Sequence, residues 1–98
     1  MDDHIGVLRI ALRYGINHEI RLVVLQEAAQ GQIAAKWITE RHPAFTLGSV
    51  AYHVRELHKA RLLKRVKTIQ VRGAIQTVYA LSAEGRRVWE KLTAHTAE

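Results

Sequence analysis

A change of hydrophobic period at Leu63 constrains this chain more than any other feature. On its N-terminal side lies Thr46–Leu63, TLGSVAYHVRELHKARLL. Stepped at about 100° per residue, Val50, Val54, Leu57 and Arg61 fall along one side, with His53 and His58 on its flanks. The opposite side carries Gly48, Tyr52, Arg55, Glu56 and Lys59. On the C-terminal side the helical period gives way to near-alternation. Lys64–Val71 and Ile75–Leu81 are rich in Val, Ile, Thr and Tyr, and Arg72-Gly73-Ala74 separates them with a glycine able to supply positive φ. The pattern predicts an amphipathic helix running straight into a two-stranded hairpin, with Ile75, Thr77, Tyr79 and Leu81 on one face and Tyr79 and Leu81 toward the core. The polar side of the helix serves either solvation or an anionic partner, and periodicity alone does not separate the two.

Charge separates them better. The 98 residues carry a net charge of +6. Between Gly48 and Gln76 stand Arg55, Lys59, Arg61, Lys64, Arg65, Lys67 and Arg72 against one acid, Glu56, so this segment holds the whole excess. Elsewhere basic and acidic residues balance. A solvated face needs no such segregation, whereas a phosphate backbone rewards it.

The rest of the chain supplies helices around this unit. Residues 3–14 (DHIGVLRIALRY) place Ile5, Leu8 and Leu12 on one stripe, serving core or a partner surface, and Gly15 is a helix stop. Asn17 is positioned to cap a second helix to about Ala29, with Ile20, Val23, Val24 and Ala28 inward and Gly31 as its breaker. A short third helix, about Ala34 to Arg41, has Trp37 and Ile38 as apolar anchors and ends before Pro43, which disfavours helical geometry in the residue preceding it. Thr46 is the expected N-cap of the next helix, so the order helix, short turn, helix emerges. Ser82 is the expected cap of a last helix, Ala83 to about Ala94, with Val88 and Leu92 paired at i, i+4 beside Trp89.

The motifs V-A-Y-H-V-R-E-L (50–57), A-R-L-L (60–63), V-R-G-A (71–74), V-Y-A-L (78–81) and S-A-E-G-R (82–86), in this order, resemble the ArsR-like winged-helix transcriptional regulators, and in particular a subset common in actinobacteria. The resemblance covers roughly residues 18 to 92. It implies a mainly α fold with a small β-hairpin, a winged helix-turn-helix of order α-α-α-α-β-β-α, in a single domain over 1–98. It implies a homodimer that represses by occupying a near-palindromic site on double-stranded DNA, with helix 46–60 in the major groove and the 64–80 hairpin as a wing. By matching position, Thr46, Ser49, Ala51, Tyr52 and Arg55 face bases, while Lys67 and Arg72 lie on the wing; Lys59 is expected to meet the backbone. Pairing through the first and last elements, 1–16 and 82–98, makes Ile5, Leu8, Leu12, Val88 and Leu92 the expected dimer contacts.

Two departures from the family stand out. Its glycine in A-G-L-I is Arg61 here. Either the chain turns left-handed there, at about 1 kcal/mol against arginine relative to glycine, or the helix ends by another route. Metal-sensing relatives carry D-x-H … H-x-x-E on the last helix. His95 and Glu98 match its second half, but Ser82 and Glu84 replace its Asp and His, so no metal or other cofactor is expected.

The remaining inventory excludes most chemistry. There is no cysteine, the serines are Ser49 and Ser82, and the aspartates are Asp2 and Asp3, so no nucleophile triad assembles and no enzyme is expected. His53 and His58, five apart, are poorly placed to share a metal, and His53 is expected to pack or to touch phosphate. Trp37 and Trp89 are expected to fill core and interface rather than a ligand pocket. No apolar run approaches the ~18 residues of a membrane span, and the start, MDDHIGVLRIAL, is acidic where a secretory signal is basic, so a bacterial-type cytoplasmic setting is expected. The competing functional reading is a winged helix used as a protein-interaction module, such as a phage or plasmid protein docking on a host factor.

Overall fold

Four helices and one antiparallel hairpin make up the computed structural model, which describes residues 18–96. The elements are α1 (Glu19–Gln30), α2 (Ala35–Arg41), α3 (Leu47–Lys59), β1 (Leu63–Val71), β2 (Ala74–Leu81) and α4 (Ala83–Thr96). The predicted 3–14 helix, with Ile5, Leu8 and Leu12, lies outside the described residues, and the cap expected of Asn17 is made by His18 instead. No helix among those described is long and apolar enough to cross a membrane.

The N-cap of α1 is His18, whose Nδ1 accepts from the Ile20 amide at 3.1 Å, doing what a shorter Asn side chain does at such a position. Glu19 follows in the first turn, where the helix dipole favours negative charge. The buried stripe is Ile20, Val24, Leu25 and Ala28. Leu25 takes the place expected of Val23, which packs half-buried at the edge. After Gly31 the chain is extended, and Ile33 forms an isolated antiparallel bridge to Tyr79, with both backbone hydrogen bonds made at 2.8–2.9 Å. That bridge ties the start of α2 to the hairpin.

Ile38 is the buried anchor of α2; Trp37, expected beside it, lies on the surface instead. Residues 37 and 38 project about 100° apart on a helix, and one seven-residue helix has room for only one inward position there. Glu27 of α1 holds the end of α2 through Arg41 (2.7 Å) and His42 (3.3 Å). Thr46 then caps α3 as expected, its hydroxyl accepting from the Ser49 amide at 3.2 Å. Val50, Val54 and Leu57 bury completely, and His53 buries with them.

α3 ends in a Schellman turn. The Leu62 amide bonds the Leu57 carbonyl and the Arg61 amide bonds the His58 carbonyl, each at 3.0 Å, and Arg61 has φ 67°. Of the two routes open to the sequence, the chain therefore takes the left-handed one, with arginine in the seat that favours glycine. The turn is fastened from outside by α4. The Ser82 hydroxyl donates to the Arg61 carbonyl (2.6 Å) and accepts from the Gly85 amide (2.9 Å), while the Ser82 amide bonds the Leu62 carbonyl at 3.1 Å. Gly85 is required here, because a Cβ would collide with the Leu62 carbonyl.

The hairpin turns through two residues, Arg72 (φ 52°) and Gly73 (φ 83°), the double positive φ of a type I′ turn. Its register pairs Leu63 with Leu81 and Arg65 with Tyr79, then slips by one at Val66 so that Lys67 faces Val78. This β-bulge puts Arg65 and Lys67 on opposite faces of the hairpin. Tyr79 and Leu81 are buried as expected, but Val78 is buried as well and Ile75 is 73% exposed.

On α4, Val88 and Leu92 belong to the chain's own core, at 1% and 3% exposure, together with residues of α1, α3 and the hairpin base. They are not the dimer contacts expected of them. An i, i+4 apolar pair is the same pattern whether it meets a neighbouring helix or a second copy, and here α4 packs on α1 and β2.

Candidate nucleic-acid interface

The outward side of α3 follows from the burial of its inward side. With Val50, His53, Val54 and Leu57 committed to the core, Ser49, Tyr52, Arg55 and Lys59 are left exposed and Ala51 half-exposed. Thr46 is exposed too, though its hydroxyl is engaged as the cap. Lys59 pairs with Glu56 at 3.2 Å, a surface pair at i, i+3 that leaves the ammonium in solvent.

His53 is packed into the core. Arg21 Nε donates to its Nδ1 at 2.9 Å, so that nitrogen is an acceptor. The His18 ring lies 4.3 Å away and the Tyr52 ring meets it edge-on at 5.1 Å. Burial, and then the neighbouring His18 and Arg21, hold its pKa below the ordinary 6.5, against a small opposing pull from Glu56. A neutral core imidazole therefore backs Tyr52, a residue that remains 49% exposed. His58 is packed similarly, edge-on to Tyr79 at 5.5 Å.

Between α2–α3 and the hairpin runs an open cleft of about 650 Å³. Of the sequence-predicted residues it gathers Ala51, Arg55 and Arg72. The cap Thr46 and, on α3, Ser49, Tyr52 and Lys59 lie outside its lining, and Lys67 sits on the far face of the hairpin because of the bulge. The strand cation that joins Arg55 is Arg65, and Lys36 of α2 joins from the opposite wall. Neither was singled out from the sequence. Counting alternate residues from either strand end would have suggested Arg65 or Lys67 equally, and only the one-residue slip decides between them. Lys36, Arg55, Arg65 and Arg72 are exposed, and none is paired with a carboxylate among the described residues. No acidic residue lines the cleft. Four cations lining one cleft, none paired with a carboxylate among the described residues, form a field that attracts polyanions and has no internal partner to release first.

The described residues gather no group of three His, Asp or Glu side chains able to hold a metal ion. Ser82 is engaged as the cap of α4. No protein-family model matches the chain, and no curated protein matches it.

Proposed function

We propose that the chain is a DNA-binding transcriptional regulator with a winged helix-turn-helix fold, in which α2 and α3 form the helix-turn-helix and the β1–β2 hairpin is the wing. The observation that carries this reading is the placement of the unpaired cations. The whole charge excess of the chain falls on α3, the turn after it and the hairpin, and Arg55, Arg65 and Arg72 line one cleft between α3 and the hairpin. A bidentate arginine on α3 suits a guanine edge in the major groove, small Ser49 and Ala51 allow close approach, and the wing guanidinium suits phosphate or a minor groove. The Ile33–Tyr79 bridge supports the reading as well, because it fixes the hairpin's angle to α2–α3 and so the spacing of the two DNA-facing elements.

Two copies are proposed to bind one near-palindromic site, each α3 in one half-site. The contacts between copies exclude Val88 and Leu92, which the core already uses. Sedimentation showing only monomer at micromolar concentration would refute the dimer without touching the DNA reading. Repression by promoter occupancy is the regulatory form proposed. Selection of bound fragments from a random duplex library tests the whole: enrichment of a half-site repeated at about one helical turn is expected, and no enrichment over input would overturn it. Retained function after neutralising Arg55 and Arg72 would instead favour a protein-interaction module.

A further inference from the structure

The α3–hairpin cleft has a second property that nucleic acid alone does not use. Much of the lining between its cations is apolar. Leu47 is 50% exposed, Val71 37% and Ile75 73%, and all three line the same space as the cations. Isolated exposed hydrophobics need no explanation, but three on facing walls of one concavity form a patch that water covers poorly. The volume of about 650 Å³ falls inside the span of roughly 300–1,000 Å³ common for small-molecule sites. Apolar walls call for an apolar body, and Lys36, Arg55, Arg65 and Arg72 with no opposing carboxylate call for a negative head. Arg72 sharpens the point. It holds φ 52° in a turn where Asn or Gly is the unstrained choice, so its guanidinium is kept at this corner against backbone preference.

We propose that the cleft binds a small amphipathic anion, a carboxylate or comparable head on a hydrocarbon or aromatic body, and that this ligand competes with DNA for Arg55, Arg65 and Arg72. The head pairs with the guanidinium groups and the body lies across Leu47, Val71 and Ile75. Because the same cations serve both partners, the ligand releases DNA by occupancy alone, with no conformational relay. The competition rests on the DNA-binding reading; the binding does not.

The test uses the full chain and decanoate as the probe, with acetate carrying the head alone and octyl glucoside a chain without charge. Calorimetry is expected to show saturable binding of one decanoate per chain and none of comparable strength for the two controls. Ile75→Ser is expected to weaken decanoate about tenfold through lost apolar contact, and Arg65→Gln to weaken it severalfold. Both sites are exposed, and unchanged circular dichroism verifies the fold. A duplex complex should dissociate as decanoate saturates. Failure of decanoate to bind saturably, binding equal to that of octyl glucoside, or attachment to phosphatidylglycerol vesicles without one-to-one decanoate binding overturns the proposal. Saturable decanoate binding by a chain that retards no duplex overturns the DNA reading and leaves the site standing.

Discussion

Replacing Arg61 by glycine should make the protein more stable. Arg61 occupies the C′ seat of the Schellman turn at φ 67°, where an L-residue is about 1–2 kcal/mol less favourable than in right-handed geometry. Glycine removes that penalty and returns about 0.5–1 kcal/mol of it through greater freedom in the unfolded chain. The guanidinium is exposed and makes no ion pair among the described residues, so its loss offsets little. The backbone bonds from Leu62, from the Ser82 hydroxyl and from Arg61 itself use no side-chain atom of Arg61 and survive the change. The net expectation is stabilisation by about 1 kcal/mol, which for a domain of this size raises Tm by roughly 4–8 °C. Urea unfolding of wild type, Arg61→Gly and Arg61→Ala measures it, since alanine removes the charge and keeps the strained φ. Alanine should lie within about 0.5 kcal/mol of wild type. Equal stability of the glycine and alanine variants would refute the reasoning, because the conformation and not the charge is held responsible.

Further outcomes follow from the same geometry. Gly85→Ala should destabilise by about 1–3 kcal/mol in urea unfolding, since its Cβ meets the Leu62 backbone and not the end of a flexible side chain. Ser82→Ala should cost about 1–2 kcal/mol through loss of the α4 cap and of the bond to the Arg61 carbonyl. His53 has a depressed folded pKa, so above 6.5 its full contribution is present, and stability falls as pH drops below 6.5 until the folded pKa is passed. A His53→Gln variant followed by thermal melts from pH 7.5 to 5 should lose that part of the slope, and an unchanged slope would count against a buried neutral imidazole. In duplex binding, Arg55→Ala should weaken a specific site by about 1–3 kcal/mol. Arg65→Ala should weaken all sequences and lower the salt slope by about one, and Lys67→Ala should do less.

Much of the framework was legible from residue pattern because it depends on local physics. The Thr46 cap, the inward Val50–Val54–Leu57 stripe, the Pro43 stop and the Arg72–Gly73 turn are each decided within a few residues. What escaped depends on partners distant in the chain. The Val66 bulge reverses which strand cation faces α3, and no period within β1 signals it. The Ile33 bridge exists because Tyr79 stands 46 residues later with free backbone groups. Val88 and Leu92 read equally well as core or as interface, and only the position of α1 decides. Trp37 shows the converse, a large apolar side chain placed outward because its neighbour Ile38 holds the inward seat. At the candidate site, Arg55 and Arg72 were recognisable by type and position, while Lys36 and Arg65 join them only through the folded arrangement.

The central claim is that the cations of α3 and the hairpin exist to meet a phosphate backbone. Fluorescence anisotropy of a labelled duplex across a salt series measures this directly. If Lys36, Arg65 and Arg72 each neutralise one phosphate while Arg55 reads a base, log K should fall with log salt at a slope of about −2.7 per chain. Neutralising Lys36, Arg65 and Arg72 together should flatten the slope accordingly while the fold persists. Absence of duplex binding at low salt, or a slope unchanged in the neutralised variant, would contradict the account.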